Sequence, residues 1–336
     1  MIRPVVPSLL DRYDALLVDL DGTLIHGARP IPHAAEGLRA ARRAGLGIGF
    51  ATNNASRSAQ QTAEHLGEAG IDASADEVIS SPQVAAALLA QQLDPAATVL
   101  VVGSDALAAQ IREVGLTPVD RDREDVVAVV QGFAPDLAWP LLAEGAYALR
   151  RGAAWMATNV DATLPTERGL APGNGSLVAA LAHATGRRPE VAGKPAPGMF
   201  QEAARRLGAD RPLVVGDRLD TDIEGASAAG LDSLFVLTGV NTVEDALRAI
   251  PAQRPTWVRA DLSTLGAAAP EPVITADGSS ARCARSSARW VDGDLELRGA
   301  DNDPDAAQCA LALLRRHLPE DAFTGQLRRS GAEAGA

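Results

Sequence analysis

Short, unbroken apolar runs alternate with helix-patterned segments over most of this chain, and that alternation constrains the fold more than any other feature. DALLVDL (14–20), LGIGFATNN (46–54), PLVVGD (212–217) and SLFVLTG (233–239) read as core strands. A strand covered on both faces stays apolar throughout, whereas one with a wet face alternates. PHAAEGLRAARRAG (32–45) and RSAQQTAEHLGEAG (57–70) have helical spacing, and each closes on a glycine. Glycine takes the left-handed turn that ends a helix. Strand–helix alternation of this kind predicts an α/β fold with a parallel, Rossmann-like core sheet.

The alternation restarts near Ser81. TVLVVG (98–103), DVVAVVQGF (125–133) and AAWMATN (153–159) read as a second set of strands. After VAGKPAPGMF (191–200) the first style resumes, with a helix at about 197–208, another through DIEGASAAG (222–230), and a short last strand TWV (256–258). The expected layout is a core first part (1–82), an inserted α/β cap (83–190), a core second part (191–265) and a C-terminal accessory region (266–336). Linkers are expected near 80–84, near 188–193 and at GAAAPEP (266–272). Within the accessory region, SSARCARSSARWVDGDLELRG (279–299) alternates like a hairpin, and PDAAQCALALLRRHL (304–318) is an amphipathic helix. It has no glycine-rich pyrophosphate loop, so an accessory layer or an oligomer contact is expected, with a homodimer as the assembly. RRSGAEAGA (328–336) is expected to be disordered.

The 336 residues suit two domains, and a net charge of −12 argues against nucleic-acid or anionic-membrane partners. No run approaches the roughly 20 apolar residues that span a bilayer. MIRPVVPSLLDRYD (1–14) lacks the apolar stretch of a secretion signal. Cys283 and Cys309 make neither a disulfide framework nor a metal cluster, and the five histidines show no ligand spacing. The predicted location is the cytoplasm.

Polar clusters fall where the core strands should end: Asp19 with Asp21, Thr52 with Asn53, Lys194 before a helix, and Asp217 with Asp222. In open parallel sheets the crevice beyond the carboxyl ends of the strands is the usual ligand site. Two like charges at the end of a buried strand are costly unless something offsets them. Carboxylates on oxygen-rich loops suit a hard cation such as Mg²⁺. Lys194 is the only lysine among 31 lysines and arginines. An ammonium is a compact point charge and a guanidinium a wide fork, so a lone lysine in an arginine-rich chain points to a tight anion slot.

DLDGTL (19–24), TNN (52–54), GKP (193–195) and GDRLDTDI (216–223) resemble, in order and placement, the four motifs of the haloacid-dehalogenase superfamily of phosphohydrolases. The resemblance covers about residues 14–260. Asp21 to Thr52 spans 31 residues, too few for a cap, whereas Thr52 to Lys194 spans 142. That spacing resembles the branch with a C2-type cap, which includes p-nitrophenyl, phosphoglycolate and glycerol-3-phosphate phosphatases. The resemblance implies that Asp19 is the nucleophile and Asp21 the general acid and base. It also implies Mg²⁺ held by Asp19, the Asp21 backbone carbonyl and Asp217, with Asp222 behind them. Thr52, Asn53 and Lys194 would then hold the phosphoryl oxygens.

The stretch 157–177 resembles the cap loop that sets specificity in this group. Between 158 and 176 it has no Phe, Tyr or Trp, so it offers no ring on which a nucleobase or pyridoxal could stack. Asn159, Asp161, Thr166, Glu167 and Arg168 could hydrogen-bond a small polar group. The expected substrate is a small phosphate ester, glycerol 3-phosphate first. Phosphoglycolate, which Arg168 could clamp, is the alternative, followed by a nucleotide or pyridoxal phosphate. The non-enzyme alternative is an idle sensor of phosphometabolites. All four motifs precede the accessory region, so hydrolysis is expected to survive its removal.

Overall fold

The computed structural model describes residues 6–54, 57–166, 168–300 and 302–330. Two compact units form. One gathers the chain up to Phe50, Leu66–Asp72 and the chain from Ala204 on; the other holds Ala51–His65 and Ala73–Ala203. Among the described residues no helix is long and apolar enough to cross a membrane.

The chain begins with a short helix α1 (Leu9–Arg12), strand β1 (Ala15–Val18) and a small hairpin of β2 (Ile25–His26) and β3 (Arg29–Pro30). Helix α2 (Ala34–Arg43), β4 (Gly47–Thr52), α3 (Ala59–Glu68), β5 (Val78–Ser80) and α4 (Ser81–Gln92) follow. Ser80 is the N-cap of α4, so the first expected linker is a strand–helix junction.

The middle of the chain holds β6 (Thr98–Val102), α5 (Asp105–Glu113), β7 (Thr117–Val119), β8 (Val126–Gln131), α6 (Trp139–Arg150) and β9 (Ala154–Ala157). It continues through β10 (Thr163–Thr166), β11 (Gly169–Pro172), α7 (Asn174–Thr185) and β12 (Glu190–Val191). The order β12-β9-β8-β6-β7 makes a second parallel sheet, and β10 and β11 pair antiparallel. Val102, Val129 and Trp155 from this sheet pack with Leu149 of α6 and Leu181 of α7. Gln131, at the end of β8, is fully buried, and neither atom of its amide has a partner among the described residues.

The core resumes with α8 (Gly198–Leu207), β13 (Pro212–Gly216), a π-helical turn (Leu219–Ile223), α9 (Glu224–Ala228), β14 (Asp232–Val236), α10 (Val243–Arg248) and β15 (Trp257–Arg259). The core sheet has the order β15-β14-β13-β1-β4-β5. Strand β1 lies between two parallel neighbours, with Val18 opposite Val215 on one side and Phe50 on the other. Every residue of β1 is buried, which is why the run is apolar throughout. The chain builds outward from β1 first to one side and later to the other. The strand order therefore reverses between β1 and β13, the place where open sheets leave a crevice.

The C-terminal region forms its own sheet from β16 (Val273–Ile274), β17 (Ser280–Cys283), β18 (Ser286–Val291), β19 (Asp294–Arg298) and, after helix α11 (Pro304–His317), β20 (Leu327–Ser330). The expected hairpin is a three-stranded meander, because the chain turns twice, with left-handed backbone at Ala284 and at Asp292–Gly293. Strand β20 pairs parallel to β19. Of the tail expected to be disordered, residues 328–330 belong to β20 and 331–336 lie outside the described residues. The expected linker at 266–272 is tied down: Ala269 N donates to Pro7 O at 3.0 Å, and Ser8 and Ala268 form a bridge.

This region is continuous with the core rather than appended to it. Leu311, Leu313 and Leu314 of α11 share one apolar cluster with Leu219, Ile223, Phe235 and Val258. The buried Gln308 accepts a hydrogen bond from Val258 N at 2.9 Å and donates one to Thr256 O at 2.7 Å. The buried Arg254 donates to the carbonyls of Leu314, Leu318 and Asp321 around the end of α11. A cation at a helix C-terminus satisfies carbonyls that have no partner within the helix.

Candidate active site

Strand β1 delivers Asp19 directly. The residue follows Val18, and its N–H donates to Val215 O at 2.9 Å, the last rung toward β13. The chain then turns tightly. Leu24 N and Ile25 N both donate to Leu20 O, and Gly22 N donates to Ile25 O at 2.8 Å. The buried Leu20 and Leu24 anchor this turn, and Asp21 stays exposed on it. Gly22 has a φ of +90°, and a Cβ there would lie 2.4 Å from Asp217 Oδ2. No other residue type fits without moving that carboxylate.

Strand β13 delivers Asp217, and the π-helical turn brings Asp222 back beside it. Both are fully buried, and Asp19 is half-buried. One carboxylate oxygen from each of Asp19, Asp217 and Asp222 lies within 4.8 Å of the others. Asp217 accepts from the Thr23 hydroxyl at 3.2 Å through Oδ1 and from Val240 N at 2.8 Å through Oδ2. Asp222 accepts from Arg218 N at 3.1 Å. Gathering three carboxylates, two of them away from water, is strongly unfavourable without a compensating charge. An all-oxygen set of this kind fits a hard divalent cation. Asp222 thus lies within the carboxylate cluster itself. Asp220 is an ordinary surface acid, paired with Arg218 at 2.9 Å.

Thr52, Asn53 and Lys194 belong to the other unit, where they form a second arrangement. Thr52 ends β4 and is buried, and its hydroxyl accepts from Asn54 N at 3.1 Å. Asn53 is the hub. Its Oδ1 accepts from Lys194 N at 2.8 Å, and its Nδ2 donates to Lys194 O at 3.1 Å. Its own carbonyl accepts from Ser81 Oγ and from Asn159 Nδ2, each at 2.9 Å. Lys194 is buried, and its Nζ donates to Ala51 O at 3.1 Å. A Cβ at Gly193 would lie 2.5 Å from both Asn53 Oδ1 and Thr158 O, so glycine is what lets the lysine backbone come so close.

The residues expected in the cap loop divide. Asn159 is buried, bonded to the Asn53 carbonyl and, through Oδ1, to Asp161 N at 3.2 Å. Asp161 is half-buried, and its carboxylate accepts from Asn53 Nδ2 at 3.3 and 3.4 Å. Arg168 is exposed at the turn between β10 and β11. The Thr166 side chain and Glu167 lie outside the described residues. Sequence reasoning missed Asn174, whose Nδ2 donates to Asn159 O at 2.7 Å, and Ser81. It also missed the Thr23 hydroxyl and the Val240 N–H as partners of Asp217. In the sequence Asn174 is only part of GNGS (173–176), a polar stretch before an apolar helical run.

Residues 16–117 match a family model described as haloacid dehalogenase-like hydrolase, and residues 191–265 match a second HAD-like hydrolase model. The chain is 54% identical over 271 residues to the D-glycerol 3-phosphate phosphatase of Mycobacterium tuberculosis, covering 79% of this chain and 76% of that protein. It is 39% identical to a 5'-nucleotidase of Bacillus subtilis, over 69% of this chain and 90% of that one. The magnesium complex of a glycerol phosphate phosphatase from Mycobacterium tuberculosis superposes with a TM-score of 0.85 at 44% identity, covering 97% of this chain and 95% of that one. A p-nitrophenyl phosphatase from Archaeoglobus fulgidus superposes with a TM-score of 0.70 at 32% identity, covering 76% of this chain and 99% of its own. Motifs, topology and relatives agree: this chain belongs to the haloacid dehalogenase-like hydrolases, in their phosphatase branch.

Proposed function

We infer that this chain is a Mg²⁺-dependent phosphatase that hydrolyses glycerol 3-phosphate to glycerol and phosphate. The observation that carries the chemistry is the gathering of Asp19, Asp217 and Asp222 at the reversal point of the core sheet. Asp19, the Asp21 carbonyl and Asp217 would hold the cation, with Asp222 beside them. Bound there, Mg²⁺ would offset the gathered negative charge and polarise the phosphoryl group. Asp19 attacks phosphorus and forms an aspartyl-phosphate as the ester oxygen leaves. Asp21, exposed on its turn, gives that oxygen its proton and later takes one from the water that cleaves the intermediate. Lys194 and the hydroxyl of Thr52 neutralise and orient the phosphoryl oxygens. Asn53 supports that role by fixing the Lys194 backbone.

Two observations favour glycerol 3-phosphate over other esters. A relative with that name is 54% identical. The loop 158–176 has no Phe, Tyr or Trp, which counts against ring-bearing esters. Asp161, Asn159, Thr166 and Arg168 are its candidates for the substrate's hydroxyls. A cytoplasmic location and a homodimer belong to the same proposal; cell fractionation and light scattering test them. The decisive experiment is a panel of kcat/KM values over glycerol 3-phosphate, phosphoglycolate, nucleoside monophosphates and pyridoxal phosphate. Glycerol 3-phosphate should lead. A ring-bearing ester in first place overturns the substrate reading, and absence of Mg²⁺-dependent turnover on every ester overturns the enzyme reading in favour of a sensor.

A further inference from the structure

The loop after β14, residues 237–241, touches the scaffold of the carboxylate cluster at three points. Val240 N donates to Asp217 Oδ2 at 2.8 Å. The Thr238 hydroxyl donates to Gly22 O at 2.6 Å. Leu219 N donates to Asn241 Oδ1 at 3.0 Å, which ties the loop to the turn that carries Asp222. Gly239 packs so closely on Asp217 that a Cβ there would lie 1.9 Å from Oδ2. The start of the loop is anchored by Leu237, whose N–H donates to Arg259 O at 3.1 Å, whereas Gly239 and the Val240 side chain are exposed.

Gly22 is held at both of its peptide groups, its N–H by Ile25 O and its carbonyl by Thr238. The Asp21–Gly22 peptide carries the backbone carbonyl assigned to the cation; the Gly22 N–H bond fixes that peptide, and the Thr238 bond holds the adjoining Gly22–Thr23 peptide, so the turn is pinned on both sides of Gly22. His26, on the β2–β3 hairpin, closes the circuit with Nε2 3.1 Å from Thr238 O. One side chain thus couples the turn after Asp19 to the loop that orients Asp217.

We propose that Thr238 is a positioning residue for the divalent cation: its hydroxyl locks the Asp21–Gly22 turn to the loop whose Val240 N–H and Gly239 hold the Asp217 carboxylate. The proposal rests on the assignment of Asp19, Asp21 and Asp217 as cation holders. Groups that hold a metal's ligands in place commonly change its affinity by about 10–100-fold when removed.

The test is titration calorimetry of the full chain with Mg²⁺ alone, without substrate, on the wild type, Thr238→Val, Thr238→Ser and Asp217→Asn. Thr238→Val should weaken Mg²⁺ at least about tenfold, and Thr238→Ser, which keeps the hydroxyl, should stay within about twofold of wild type. In turnover, Thr238→Val should raise the Mg²⁺ concentration for half-maximal rate by a similar factor and leave kcat at saturating Mg²⁺ within about threefold. Wild-type affinity in Thr238→Val, or equal losses in Val and Ser, overturns the role of the hydroxyl. Wild-type affinity in Asp217→Asn overturns the ligand assignment instead, so the two failures separate. If Thr238→Val does not fold, Gly239→Ala replaces it. The new methyl displaces the Asp217 carboxylate, and unchanged Mg²⁺ affinity there removes the loop from the site.

Discussion

Asn53 grips Lys194 with both ends of one amide, accepting from its backbone N–H at 2.8 Å and donating to its carbonyl at 3.1 Å. The same Nδ2 faces the Asp161 carboxylate at 3.3 and 3.4 Å. An amide can do this because one of its ends donates and the other accepts. A carboxylate has no donor at that position. Asn53→Asp should therefore cost more than Asn53→Ala despite its closer size, because it sets a charge against Lys194 O and Asp161. The expected loss in kcat/KM is at least about tenfold for Asn53→Asp, in the range of an uncompensated buried polar clash. Equal kinetics for Asn53→Asp and wild type would detach Asn53 from the site.

Asp19→Asn should fold normally and lose at least about three orders of magnitude in kcat, since the amide cannot take the nucleophile's part. Circular dichroism checks the fold, and single-turnover kinetics check the chemistry. A mutant retaining more than about one per cent of kcat would remove Asp19 from that role.

Lys194→Arg should be close to inactive, although arginine is this chain's habitual cation. Lys194 is 3% exposed, with its ammonium 3.1 Å from Ala51 O, and the wider guanidinium has to displace its surroundings. Rate and thermal melting measured together distinguish a misplaced charge from a damaged fold. Near-normal kinetics would make the lysine incidental.

Truncation after Ala267 should give an insoluble or unfolded chain, contrary to the sequence-based expectation that hydrolysis survives it. Leu311, Leu313 and Leu314 are each 0% exposed, within the cluster that also holds Leu219, Ile223 and Phe235. Burying one such side chain is worth about 1.5–3 kcal/mol, and the net stability of a domain is only about 5–15 kcal/mol. Leu219 and Ile223 also flank Asp222, so the loss reaches the carboxylate cluster. A soluble truncation with full aryl phosphate turnover is the result that would refute this.

Gln131→Met should stabilise the protein by about 1–3 kcal/mol, the usual cost of a buried polar group without a partner. Methionine fills a similar volume without polar demands. Denaturant unfolding followed by tryptophan fluorescence measures the shift, since Trp155 lies in the same sheet. A destabilised variant would show that the amide is satisfied in solution.

The strand ends were legible because each buried run stops at a residue that cannot be buried cheaply; Asp19, Thr52 and Asp217 all mark such stops. The work done by Asn53 was not legible. The sequence offered it as a holder of phosphoryl oxygens and not as the clamp on the Lys194 backbone, because its partners lie 141 and 108 positions away. Gly239 was invisible for a similar reason, since a missing Cβ matters only once Asp217 is seen beneath it. In the C-terminal sheet, the turn at Asp292–Gly293 carries residues that favour positive φ. The turn at Ala284 has φ +49° on an alanine, which is why two turns were read as one. The continuity of α11 with the core could not be read either, because an amphipathic helix does not say which apolar surface it covers.

Strand β15 is the last of the core sheet, and its outer backbone is spoken for. Gln308 offers it one acceptor and one donor, the complement that a neighbouring strand would present. A side chain thus ends the ladder where another molecule could have continued it. Copies of this protein cannot add to one another by strand pairing along that edge while α11 is in place, which leaves the opposite edge, β5, as the one side on which this sheet could be extended.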